Sequence, residues 1–174
     1  MTAAMRRLLV ILALALAPSS AAAQAAEAGS ETGLPLPRFA SLGADRVNVR
    51  IGPGTRYPVT WVLVRQALPV EVIDEFDQWR RVRDPEGAEG WVHKAMLSGR
   101  PTVVVIPGSS PGTDVRTLHI APRDDGGPVA RVEAGVLGRL IDCRRGWCEV
   151  AFGRYRGWMR AGHLWGARTL GALR

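Results

Sequence analysis

The chain has 174 residues, a formal charge of +7 and a hydrophobic share of 47%, enough for one ordinary domain or two small ones. Two cysteines are too few for a disulfide scaffold and cannot hold zinc with sulfur alone, and 20 glycines with 12 prolines argue for turns and short strands over long helices. The positive charge biases binding towards anionic partners: nucleic acid, acidic lipid or the carboxylates of a polymer.

Arg6 and Arg7 lead into the apolar run Leu8 to Ala17, followed by Pro18 and small residues ending in Ala23-Gln24-Ala25. A positive start, a short apolar middle and an A-x-A end predict a cleavable signal peptide over residues 1–25. The apolar run is roughly ten residues, about half of what a membrane-spanning helix needs. The expected location is therefore periplasmic or secreted, with no stable membrane insertion after cleavage. Removing two arginines and no acids takes the formal charge from +7 to +5. Export also excludes nucleic acid as a partner. Residues 26–37 (AEAGSETGLPLP) are small, polar and proline-containing, and predict a flexible lead.

From Arg38 onward the periodicity is that of strands. Val47, Val49 and Ile51 alternate, as do Val70 and Val72 before the polar turn Glu75-Phe76-Asp77-Gln78. Val136 to Ile141 and Trp147 to Phe152 read as two strands around the hairpin Arg144-Arg145-Gly146. No window gives an amphipathic helix of ten or more residues, and Lys94 to Leu97 is at most one helical turn. The stretch 107–113 (PGSSPGT) reads as a linker between a first unit, 38–106, and a second, 114–174. The two units share ordered landmarks. Trp79-Arg80-Arg81-Val82 aligns with Trp147-Cys148-Glu149-Val150, Gly90-Trp91-Val92 with Gly157-Trp158-Met159, and Leu97-Ser98-Gly99 with Leu164-Trp165-Gly166. Thr102-Val103 aligns with Thr169-Leu170, Val47-Asn48-Val49 with Leu118-His119-Ile120, and Pro58-Val59 with Pro128-Val129. Short strands in units of about sixty residues fit small, partly open barrels.

Val49-Arg50-Ile51-Gly52-Pro53-Gly54, then Tyr57-Pro58-Val59, Trp79, Gly90-Trp91-Val92 and Leu97 resemble the bacterial SH3-like (SH3b) domain over nearly all of residues 43–99. The second unit keeps Trp147, Gly157-Trp158 and Leu164 but departs at Ile120-Ala121-Pro122-Arg123 and Asp124-Asp125-Gly126-Gly127, where the G-P-G and tyrosine elements belong. The resemblance implies an all-β fold of two tandem SH3-like barrels. It also implies binding of cell-wall (peptidoglycan) peptides or other short peptides without catalysis. Gly52 and Gly54 flank Pro53 where the chain leaves a strand, and are expected to supply positive φ.

Cys143 and Cys148 face each other across the second hairpin and, in an exported protein, predict a structural disulfide. The repeat places Glu75 and Arg80 at the equivalent positions, where a cross-strand ion pair is expected. Asp74, Glu75 and Asp77 read as a solvated turn, a poor place to protonate a carboxylic acid for glycoside chemistry. His93, His119 and His163 do not pair at metal spacing and read as surface or strand-end residues, so no metal, cofactor or catalytic residue is assigned. Trp91 and Trp158 are expected in the barrel wall, whereas Trp79, Trp147, Tyr57 and Trp61 could lie half exposed. Arg50, Tyr57, Trp61 and Trp79 form the candidate ligand groove, set against plain packing roles for the same residues. The expected function is a non-catalytic binding module of the bacterial cell envelope. The alternatives are a scaffold or accessory protein binding a protein partner in the periplasm and, as a minor one, a wall hydrolase, for which the chain leaves no room once both barrels are placed.

Overall fold

A computed structural model describes residues 27–109, 112 and 114–167; the leader 1–25 and the Thr169-Leu170 end of the repeat lie outside the described residues. Strands β1 (Glu27–Ala28) and β2 (Pro35–Leu36) pair in a small hairpin. Then come β3 (Arg38–Leu42), β4 (Val47–Arg50), β5 (Val59–Leu63), β6 (Pro69–Phe76), β7 (Trp79–Arg83), β8 (Glu89–His93), a 3-10 turn at Lys94–Met96 and β9 (Leu97–Ser98). The second half runs β10 (Thr102–Val105), β11 (Val115–His119), β12 (Pro128–Glu133), β13 (Leu137–Arg144), β14 (Trp147–Phe152), β15 (Tyr155–Arg160), a 3-10 turn at Ala161–His163 and β16 (Leu164–Trp165). The described residues contain no α-helix.

The two seven-stranded antiparallel sheets have one topology: β5-β4-β8-β7-β6-β3-β9 and β12-β11-β15-β14-β13-β10-β16. Strands far apart in each sheet feed one core. Leu42 of β3, Val49 of β4, Val72 of β6 and Val92 of β8 meet in the first, and Val105, Leu118, Leu140 and Met159 do so in the second. A sheet can bring distant strands together only by curling, so each half is a small barrel. Register shifts at Val49/Arg50 and Val72/Asp74 recur at Leu118/His119 and Leu140/Asp142, and bulges of this kind sharpen the bend of a strand. β-branched side chains fill most inward positions of the first core, as the alternation predicts.

The unit boundary differs from the sequence expectation. β10 pairs with β13 and β16, as β3 pairs with β6 and β9. Thr102 to Val105 therefore opens the second barrel, the stretch 107–113 comes in sequence between two strands of one sheet, β10 and β11, and the junction falls at residues 99–101. Two alignments also move. Val49 stands opposite Trp61, and Leu118 opposite Ala130, so Val49 corresponds to Leu118, Arg50 to His119, Trp61 to Ala130 and Pro58 to Gly127. The second core accommodates the lost indole with Phe152, whose counterpart is Asp84. Its ring passes so close to Gly138 that a Cβ there would sit 2.5 Å from it, and that glycine stands where the first barrel has Val70.

The lead 26–37 is not loose where it is described. The β1–β2 hairpin is clipped to Glu75, whose carboxylate accepts hydrogen bonds from Glu31 N (3.1 Å), Thr32 N (2.9 Å), Thr32 Oγ1 (2.8 Å) and Arg38 Nη2 (2.5 Å). Arg80 Nε adds an ion pair at 3.3 Å, and Glu75 Cα faces Arg80 in the ladder. The cross-strand pair is as expected. The solvated turn is not: the Glu75 side chain has no exposed surface, because backbone and arginine donors replace its water. Across the same position in the second barrel Cys143 and Cys148 are joined by a disulfide.

The barrels touch through outward-facing residues. Trp165 meets Phe39 edge to face, with ring centroids 5.2 Å apart, and donates its indole N–H to Pro69 O at 3.1 Å. Thr102 Oγ1 donates to Ala67 O at 2.8 Å. No described helix is long and apolar enough to cross a membrane.

Candidate functional site

The four sequence candidates do not form one open groove. Arg50, at the end of β4, donates Nη1 to Tyr57 O (2.6 Å) and Thr55 O (3.1 Å), so its guanidinium braces the loop that follows it. Tyr57 packs its ring onto Gly52, where a Cβ would lie 2.7 Å from the ring, and Arg56 covers the ring at 5.1 Å. Neither Gly52 nor Gly54 has positive φ; Gly52 is required for space. Trp61 faces inwards against the first core and reaches Gly90, and its Nε1 is shielded from solvent without a partner. Gly90 also abuts Arg50 O, so Arg50, Tyr57 and Trp61 share one region. Trp79 does not join them. It lies on the outer face of β7, buried, with His93 edge to face at 5.4 Å.

The outer face of the second barrel is assembled differently. Trp147 is 6% and Trp158 8% exposed, so neither is a bare shelf. The outward positions of β11, β15, β14 and β13 align them in a ladder: His119 opposite Trp158, Trp158 opposite Glu149, Arg160 opposite Trp147, and Trp147 opposite Arg144. Arg144 lies over the Trp158 ring at 4.4 Å and Arg160 over Trp147 at 4.7 Å, while His119 meets Trp147 edge to face at 5.4 Å. Such cation–π contacts are worth about 0.5–2 kcal/mol each. Arg160 is held by Asp124 from the loop between β11 and β12, and this guanidinium keeps the Asp124 carboxyl below its usual range. Here the counterpart of Arg50, His119, does reach the counterpart of Trp79. No tryptophan of these ladders belongs to either core cluster, so the wall role expected for Trp91 and Trp158 is that of outward-facing residues.

The profile of the bacterial SH3 domain matches residues 43–99 and again 117–166. The chain belongs to the bacterial SH3 domain family. It carries two copies, the second beginning at β10 once the pairing partner of β13 and β16 is included. The chain is similar to the putative N-acetylmuramoyl-L-alanine amidase YrvJ of Bacillus subtilis (strain 168), at 22% identity over 130 residues, which is 72% of this chain and 25% of that protein. It thus spans about a quarter of the relative's length. Among solved structures it is similar to NlpC2 and NlpC1 of Trichomonas vaginalis, each with a TM-score of 0.33, at 14% and 16% identity. These matches cover 74% and 80% of this chain and 48% of each of those chains.

Beside these faces the second barrel has two open clefts of about 350 and 360 Å3 that share Leu137 and Gly153. One is bordered by Arg131, Phe152 and Tyr155, and the other continues past Arg139 to Ala67 of the first barrel.

Proposed function

We propose that this bacterial SH3-domain protein is a non-catalytic binding module of the cell envelope that recognises short peptides of the wall. The observation that supports the reading best is the second barrel's outer face, where two tryptophans lie beneath Arg144 and Arg160. Arginine over indole offers a flat apolar surface with a cationic rim, which suits short peptides carrying carboxylates. The chemistry named for the amidase relative, cleavage at N-acetylmuramoyl-L-alanine, gives wall peptide as the substrate class with which such a module would work. The predicted leader adds export.

The test is co-sedimentation of the full chain with purified insoluble peptidoglycan, with Arg144→Ala and Trp147→Ala variants alongside. The expected result is wall-dependent pelleting that weakens in both variants. A chain that stays in the supernatant, yet captures one protein from an envelope extract, would replace the wall reading with an accessory role. Release of soluble fragments from the wall would overturn the non-catalytic part.

A further inference from the structure

The clefts of the second barrel meet at the opposite end of the β14–β15 ladder from Trp147 and Arg160, about 17 Å along the strands. One is walled by Ala130, Val132, Val136, Leu137, Phe152 and Tyr155. Val136 is 36% and Tyr155 42% exposed, so the wall is apolar and open to solvent. One side of this cleft is β12, and the other is the start of β13 with the β14–β15 turn. β12 ends its sheet with β11 as its one strand neighbour. The cleft therefore opens where the barrel lacks strand pairing, beside backbone groups of β12 that face no strand.

Comparison with the first barrel shows what opened it. Ala130 stands where Trp61 packs against the first core and reaches Gly90. Phe152 turns inwards over Gly138 and leaves Ala130 bordering the cleft. Tyr155 and Phe152 also replace Ala88 and Asp84, which close the first barrel's turn with a bond from Ala88 N to Asp84 Oδ1 at 2.8 Å. The charge changes too. Arg131 takes the place of Val62, and Arg139, on the adjoining cleft, that of Glu71, which is paired with Arg83 at 3.0 Å. Both Arg131 and Arg139 are exposed, and neither guanidinium has a hydrogen-bond or ion-pair partner among the described residues. Glu133 is the one acid in either lining. An indole is lost and two unanswered cations are gained in one place.

We propose that this edge takes up an extended acidic peptide segment as an added strand. The segment's backbone pairs with β12, an apolar side chain enters the cleft against Ala130 and Tyr155, and carboxylates on the flanking positions meet Arg131 and Arg139. Strand alternation sets that pattern, because the neighbours of an inward side chain point to the exposed face, where Arg131 stands. The two free arginines select acids over bases at those flanks. The site lies apart from the tryptophan face and does not rest on the wall-peptide reading.

The test is an NMR titration of the full chain with three blocked five-residue peptides. One alternates glutamate with valine, one lysine with valine, and one glutamate with glycine. The glutamate–valine peptide is expected to shift the amides of Arg131, Val132, Leu137 and Gly153 saturably and to slow hydrogen exchange along β12. The lysine–valine peptide is expected to leave them unmoved, and the glutamate–glycine peptide to bind about tenfold or more weakly, since nothing enters the cleft. Ala130→Trp, which installs the first barrel's residue, is expected to weaken binding by a similar factor. The double variant Arg131→Glu/Arg139→Glu leaves the core untouched and is expected to reverse the preference, binding the lysine–valine peptide in place of the glutamate–valine one. Equal binding of acidic and basic peptides, shifts confined to Trp147 and Trp158, or a charge-reversed variant that keeps the wild-type preference would overturn the site. If Ala130→Trp does not fold, Tyr155→Ala, at an exposed position, makes the same comparison.

Discussion

Replacing Glu75 by glutamine preserves shape and removes one charge from the junction of the β1–β2 hairpin and the first barrel. The carboxylate is fully covered and meets donors from Glu31, Thr32, Arg38 and Arg80. Burial by itself raises its pKa, but the hydrogen bonds of Arg38 and Thr32 outweigh burial and bring it from 4.5 to about 2. At roughly 1.4 kcal/mol per pKa unit, that difference contributes about 3 kcal/mol of stability. Because the folded value is depressed, the contribution is complete above the unfolded value near 4.5 and is lost as pH falls from there towards 2. Glu75→Gln would also leave Arg80, whose side chain is only 6% exposed, without its counter-charge, a change that costs about 3–5 kcal/mol in buried pairs. Urea unfolding at neutral and acid pH, read by residue-resolved amide exchange in the first barrel, checks the reasoning. The wild type should lose stability steeply as the solution is acidified. The variant should start at least about 3 kcal/mol lower, show a shallower slope, and exchange the Glu31 and Thr32 amides freely. A variant within about 0.5 kcal/mol of wild type at neutral pH would refute the account.

Breaking the Cys143–Cys148 disulfide with reductant, or as a double serine variant, should destabilise the second barrel by about 2 kcal/mol and leave the first unchanged, as measured by paired denaturation curves. Trp165→Ala removes the edge contact to Phe39 and the bond to Pro69 O. Relaxation measurements should then find the two barrels tumbling more independently, with both cores intact, and one common correlation time would count against a seam held by Trp165. The double variant Glu75→Cys/Arg80→Cys copies the second barrel's staple into the first. Once oxidised it should fold but release the hairpin of β1 and β2, whose protection in that variant would show that the carboxylate is not what holds it.

How much of this was legible in the sequence depended on how local the deciding interaction is. The Cys143–Cys148 and Glu75–Arg80 pairs sit across two-residue hairpins, so spacing alone placed them face to face. Arg145 and Gly146 both take positive φ there, as a type I′ turn requires. Thr102 to Val105 was assigned to the wrong unit because TVVV is a good strand on either side of the junction. Its partners, β13 and β16, lie up to 61 residues away, the separation of Val104 and Trp165. The proline- and glycine-rich run after it reads the same whether it links domains or only strands. The lead 26–37 has no apolar pattern of its own, and its order comes from backbone amides finding a buried carboxylate more than forty residues distant. Trp79 and Trp147 read as half exposed because the arginine and histidines that cover them come from neighbouring strands. The cleft beside β12 was missed because the repeat alignment set Pro58 against Pro128. Matching Trp61 to Ala130 would have shown an inward indole lost.

The two copies, built on one topology, distribute charge in opposite ways. In the first barrel the inward hairpin position holds an ion pair, and its arginines are engaged by the protein itself: Arg38 and Arg80 by Glu75, Arg50 by two carbonyls, Arg83 by Glu71 and Glu89. In the second, a disulfide occupies the same inward position without any charge. There, Arg144 rests on an indole and Arg116 has an orphaned Nε. The covalent staple that replaces Glu75 and Arg80 needs no counter-charge, whereas Arg160 of the same barrel is still neutralised by Asp124. This relocates the expected ligand contacts from the first barrel, where the family motif is better preserved, to the second, where it has diverged: the loss of the G-P-G and tyrosine elements removes the carbonyl brace that occupies Arg50 and leaves His119, in its place, turned towards Trp147.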